Sequence, residues 1–174
     1  MEKTYFHRVH EQTPTRFWIN NVTREQAMTF LYRYAEKLDQ GFKGAWMFML
    51  DFKDTASIHD WAYEAVAWGK VNGIINGYKD GSFRPTDKIT REQLAAMLYR
   101  FAEVAELDIE PDPETNYLSF GDLPEVGAYA LHAIVWAQDK DIMNGDDAGN
   151  MLPQNNCTRA QFVTMLYRLA NLAK

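Results

Sequence analysis

Stretches of helical hydrophobic spacing alternate along this chain with short turn-rich breaks. Trp61, Ala62, Ala65, Val66 and Trp68 fall on one face at the helical period and predict an amphipathic helix. Asp60 is placed to cap its start and Gly73 to stop it. A second stripe, Leu94, Met97, Leu98, Phe101 and Ala102, predicts another helix opening at Thr90. Between the two, Asn76-Gly77 and Asp80-Gly81 supply turn chemistry, so residues 74–85 predict a structured loop or small hairpin.

This helix–loop–helix unit recurs. The run from Thr90 to Arg100 returns from Thr158 to Arg168, offset by 68 residues, and from Thr23 to Arg33, offset by 67. The last two copies also match upstream without a gap. Phe52 pairs with Phe120, Trp61 with Tyr129, Trp68 with Trp136, Asn76-Gly77 with Asn144-Gly145, and Pro85 with Pro153. The divisions expected are an atypical segment over 1–22, a partial repeat over 23–51, a full repeat over 52–103, a linker over 104–119 and a full, diverged repeat over 120–174. Repeats of this kind bury their apolar faces against each other, so one shared core is expected. The residues ahead of Thr23 are too few for the missing first helix and loop. Residues 1–20 are expected to substitute for them, with Phe17 and Trp18 plugging the bundle.

Thr23/Gln26, Thr90/Gln93 and Thr158/Gln161 each form a capping box, each expected to contribute about 1 kcal/mol. The arginine that follows each threonine is different. Arg24, Arg91 and Arg159 sit in the first turn, where a cation faces the positive end of the helix dipole. Two compensations are open. One is an ion pair to a neighbouring repeat's carboxylate, such as Asp80 or Asp87. The other is an anion received jointly by the guanidinium and the helix N–H groups.

Composition narrows the function classes. The chain has 174 residues, a net charge of -6, 47% hydrophobic and 14% aromatic residues, too apolar for disorder. A single cysteine, Cys157, excludes an internal disulfide and a cysteine-based zinc site. No apolar run is long enough to span a membrane, and no basic stripe interleaved with aromatics points to direct nucleic-acid binding. Charge is concentrated in the linker, where Glu106, Asp108, Glu110, Asp112 and Glu114 alternate around Pro111 and Pro113. This reads as a solvated linker, or as an acidic strip that occupies a basic groove on a protein partner. The apolar run over 41–50 reads as a segment buried against the bundle or as an exposed patch. His7 and His10 lack further ligands for a metal. No nucleophile triad, phosphate loop or paired catalytic carboxylate is found, so neither an enzyme nor a cofactor is expected.

Phe52-Lys53-Asp54, His59-Asp60-Trp61-Ala62, the run Gly73 to Pro85 and Ile89-Thr90-Arg91-Glu92-Gln93 resemble the S-layer homology (SLH) family in order and spacing. The resemblance covers about 130 residues, counted from those repeats. It implies a mainly α fold, a pseudo-threefold bundle of helix–loop–helix repeats. It also implies non-covalent attachment to the bacterial cell wall through grooves between repeats that hold an acidic secondary wall polysaccharide, often carrying a pyruvyl ketal. The ligand-binding residues it implies are Arg24, Arg91 and Arg159, with Trp61, Gly77 and Tyr78 shaping the best-preserved groove. Three departures stand out: Gln in place of the family's usual acid at 26, 93 and 161; Tyr129 in place of the motif tryptophan; and a third-repeat loop, Asp146 to Met151, that has lost most of its motif residues.

The resemblance implies the cell envelope. The segment Met1 to His10 lacks the apolar core of a secretory signal, so either its export signal has been removed, or the chain is complete as written and expected in the cytoplasm. There the alternative is an acidic inhibitor, carried by a phage or mobile element, that blocks a nucleic-acid enzyme in the manner of an anti-CRISPR protein. Residues His7 to His10 and Pro14 to Asn21 faintly resemble the opening of transaldolase-type aldolases. That barrel needs ~200 residues and alternating strands and helices, so no aldolase activity is implied.

Overall fold

The computed structural model describes residues 14–42, 49–110 and 120–172. His7, His10, Asp112, Glu114 and the apolar run 43–48 lie outside the described residues. Within them are six helices and no strand: α1 (Pro14–Ile19), α2 (Arg24–Lys37), α3 (Asp60–Val71), α4 (Arg91–Val104), α5 (Leu131–Asp139) and α6 (Arg159–Leu172). The protein is mainly α, as the repeats imply.

The three second helices start alike. At Thr23, Thr90 and Thr158 the hydroxyl accepts from the backbone N–H three residues on, and the glutamine side chain accepts from the threonine N–H. The ends are also alike, with less help from the sequence. The N–H groups of Gln40, Ile74, Leu107 and Ile142 return to the carbonyls of Ala35, Gly69, Ala102 and Ala137 at 2.7–2.9 Å, closing α2, α3, α4 and α5. Each closure needs a left-handed residue. Only one is glycine, Gly73 at φ 71°; the others are Asp39, Glu106 and Asp141 at φ 54–59°.

The starts of α2, α4 and α6 meet in a closed ring of backbone hydrogen bonds. Val22 N–H donates to the Cys157 carbonyl at 2.9 Å, Cys157 N–H to Ile89 at 2.9 Å, and Ile89 N–H to Val22 at 3.0 Å. All three side chains are fully buried beneath it. This ring marks a pseudo-threefold axis. Below it α2 meets α6 through Phe30 and Phe162 and meets α4 through Tyr34 and Phe101, and α4 also touches α6. Burial pushes the Cys157 thiol up to about 12, so it serves as an apolar plug.

The first helices form an outer layer. α3 packs on α2 and α5 on α4. Trp68 and Trp136 are buried, and each donates its indole N–H to a carbonyl just past the second helix it packs on, of Gln40 and Asp108. The acidic linker is tied down where it begins. Leu107 and Ile109 pack on the core, Glu106, Asp108 and Glu110 face water, and Asp108 pairs with Lys140 at 2.7 Å. In the apolar run over 41–50, Phe42 and Leu50 pack on the core and Met49 is exposed.

Several expectations are corrected. His59, not Asp60, precedes the first turn of α3. Trp61, in that first turn, is 51% exposed rather than on the buried face. The recurring pairs Tyr32-Arg33, Tyr99-Arg100 and Tyr167-Arg168 predict tyrosines at the bundle edge with their hydroxyls in water, but Tyr32 is buried and donates to Glu64 at 2.8 Å. Phe17 and Trp18 do not plug the bundle; α1 lies against α6 with both side chains about half exposed.

α6 has no first helix packed on it among the described residues. Met28 on α2 and Ala95 on α4 are fully buried by α3 and α5, whereas the equivalent Val163 is 46% exposed. Ala95→Asp is therefore expected to cost more than about 3 kcal/mol through an unpaired buried carboxylate. Val163→Asp is expected to stay within about 0.5 kcal/mol of the parent. Urea denaturation of both variants checks this, and equal losses would contradict it.

Candidate functional site: two inter-repeat grooves

The loops between first and second helices create the grooves. In repeat two, Asp54 accepts from the N–H groups of Phe83 and Arg84 at 2.8 and 2.7 Å. Asp122 does the same for Met151 and Leu152 in repeat three, at 2.8 and 2.6 Å. Tyr78 and Asp146 each receive an equivalent backbone bond, Gly81 and Gly149 N–H donating to their carbonyls. The third-repeat loop thus keeps its backbone despite its diverged sequence. Peptide groups and one aspartate set its shape, and the lost side chains do not.

Each loop carbonyl receives the arginine of the preceding repeat. Arg24 Nε donates to Phe83 O and Arg91 Nε to Met151 O, both at 2.8 Å. These bonds, not ion pairs to Asp80 or Asp87, offset the unfavourable first-turn position. Asp80 instead holds Arg84 at 2.9 Å. Arg159 differs, since its Nε is buried without a hydrogen-bond partner and its guanidinium lies 4.3 Å from the Phe17 ring centroid.

Groove one is a cavity of about 500 Å³ lined by residues of all three repeats, Arg24, the 74–79 loop, one face of α4 and Tyr129. Arg24 Nη1 donates to Gln93 Oε1 at 3.2 Å, and Gln93 Nε2 donates to the Tyr78 hydroxyl at 3.1 Å. Gln93 therefore does more than cap α4. The Tyr78 ring stands between two guanidinium groups, with Arg24 Cζ 4.8 Å and Arg84 Cζ 4.0 Å from its centroid. Arg100 and Lys79 complete the cationic lining. Glu92 is the groove's one carboxylate, and both its oxygens are engaged. The Tyr129 hydroxyl donates to one and Gly127 N–H to the other, each at 2.8 Å. Burial, reinforced by Glu92, pushes the Tyr129 hydroxyl well above its usual range, so it stays a neutral donor. Burial also lowers the Arg24 pKa, with Tyr78 opposing.

Groove two, about 400 Å³, repeats these positions one unit on, with Arg91, Asn144, Gly145, Asp146, Gln161, Thr164 and Arg168 in its lining. Arg91 is held more tightly, its Nη2 also donating to Asn144 O at 2.9 Å.

The six candidate residues thus fall in four places. Arg24, Gly77 and Tyr78 come together in groove one. Arg91 belongs to groove two. Arg159 sits beside α1, with no equivalent loop around it among the described residues. Trp61 lines neither groove; it stacks on His59, whose Nδ1 lies 2.7 Å from Glu25. The family motif places Trp61 in the same repeat as Gly77 and Tyr78. The wall of groove one comes from the next repeat, so Tyr129, the partner of Trp61 in sequence, takes that place. Arg100 was legible only as a recurring Tyr-Arg pair, and Gln93 only as a cap.

The S-layer homology domain profile matches residues 51–95 and 119–163. The chain belongs to the S-layer homology domain family. Among its relatives, an endoglucanase of Bacillus sp. (strain KSM-635) is 32% identical over 125 residues, covering 69% of this chain and 13% of that protein. An amylopullulanase of Thermoanaerobacterium thermosulfurigenes is 29% identical over 165 residues, 94% of this chain and 8% of its own length. A cellulosome-anchoring protein of Acetivibrio thermocellus is 27% identical over 116 residues, 67% of this chain and 25% of its own. The chain spans a quarter or less of each of these relatives.

Proposed function

We propose that this chain is a non-catalytic module that attaches its polypeptide to the bacterial cell envelope by taking an acidic wall polysaccharide into groove one. The observation that carries the reading is the lining of that groove. Arg24, Lys79 and Arg100 stand around two tyrosines, and the groove's carboxylate is already satisfied by Tyr129 and Gly127. Cations beside aromatic rings suit a sugar that bears a carboxylate, with the ring stacking and the charge pairing. The relatives support the same reading. An endoglucanase and an amylopullulanase are named for different substrates yet share this stretch with an anchoring protein. What they share is therefore better read as attachment than as hydrolysis. The whole relatives' activities are not carried over.

Co-sedimentation tests the proposal. The chain is expected to pellet with purified cell walls that keep their secondary polysaccharide, and to stay in the supernatant once that polymer is extracted. Equal pelleting with both preparations, or with neither, contradicts it.

A further inference from the structure

The two grooves share one backbone and differ in the side chains that meet a ligand. Tyr78, which stands between Arg24 and Arg84 in groove one, is replaced in groove two by Asp146. The next residue changes from Lys79 to Asp147. The aromatic wall is lost as well, since Tyr129 closes groove one and, among the described residues, no tyrosine lines groove two. At the position of Glu92, which anchors that wall, stands Ala160.

Asp146 is fixed as a carboxylate by its own turn. One oxygen accepts from the N–H groups of Ala148 and Asn150 at 3.0 and 2.8 Å, and the other from Asn150 Nδ2 at 3.4 Å. Those donors keep it ionised, and Arg91 is close enough to favour its charge. Groove one thus sets three cations, Arg24, Lys79 and Arg100, against the buried, fully engaged Glu92, whereas groove two sets only Arg91 and Arg168 against an exposed Asp146. Arg91 gives both its bonds to backbone carbonyls, of Met151 and Asn144, where one of Arg24's two goes to the Gln93 side chain. An incoming carboxylate would meet like charge at Asp146, which disfavours its entry relative to groove one.

We propose that the module holds one anionic glycan, in groove one, and that Asp146 is the specificity residue that keeps anions out of groove two. This rests on the glycan reading of groove one. One chain therefore makes one wall contact, and stronger retention requires several chains or modules acting together.

The test is the stoichiometry of binding by isothermal titration with a short oligosaccharide bearing a pyruvyl ketal. The parent is expected to bind one equivalent. D146Y/D147K, which places the groove-one residues in groove two, is expected to bind two. Asp146→Asn, which keeps a side-chain acceptor for the turn while removing the charge, is expected to reveal a second, weaker event. A parent that already binds two equivalents overturns the proposal and leaves the glycan reading standing. The same holds for folded variants that all remain at one. A parent that binds none overturns both.

Discussion

Arg24→Met is expected to weaken binding of an anionic wall oligosaccharide by roughly 100-fold or more. Truncating one partner of a desolvated, hydrogen-bonded charge pair costs about 2–5 kcal/mol, and Arg24 is the buried cation of groove one. The same change at Arg159 is expected to leave affinity unaltered, because Arg159 rests on Phe17 and lines neither groove. Arg24 also supports the fold through Phe83 O and Gln93 Oε1, so its loss could act by loosening the loop. Arg100→Met separates the two causes. Its one side-chain bond among the described residues, to Ile74 O, is long at 3.3 Å, so stability should hold while affinity falls about tenfold, the loss of one charge-assisted contact. Titration calorimetry with melting curves on the three variants checks the set. Parent-like affinity in both Arg24→Met and Arg100→Met would contradict the assignment.

The second large effect concerns the loop itself. Gly77→Ala is expected to cost about 2–4 kcal/mol and to abolish groove one. The position has φ +74°, and an added Cβ would lie 2.7 Å from Phe52 Cε1 and 2.8 Å from the Ser82 carbonyl. The ring cannot yield easily, because Phe52 stacks on the buried Phe83 at 5.4 Å. Gly73→Ala is the control. Its φ is +71° but nothing lies within 4 Å of an added Cβ, so only backbone strain of about 1 kcal/mol is expected. Denaturant midpoints decide between them. Equal costs would mean that conformation alone explains Gly77 and that the close packing under the loop is unimportant.

These two glycines illustrate how much of the molecule was legible in the sequence. Gly73 read as a helix stop because glycine is the common left-handed cap. Asp39, Glu106 and Asp141 end helices in the same conformation and could not be read, since the usual left-handed caps are glycine and asparagine. The three-fold repeat of Thr-Arg was plain. The direction of Arg24 and Arg91 was not, because each reaches a carbonyl about 60 residues away in the next repeat. Trp61 was chosen by motif and belongs to a different junction from Gly77 and Tyr78. A period in sequence fixes which residues are equivalent. It does not say which equivalents meet across an interface; that depends on how the repeats turn about their axis, here marked by the Val22, Ile89 and Cys157 ring.

The sharpest measurement is the set of arginine Nε–H resonances in ¹⁵N-labelled protein as the pyruvylated oligosaccharide is added. The resonances of Arg24 and Arg100 are expected to move together and saturate at one equivalent, with Arg91, Arg159 and Arg168 unmoved. Movement of Arg91 and Arg168, or of Arg159, with Arg24 and Arg100 still, would place the ligand elsewhere and contradict the assignment of groove one.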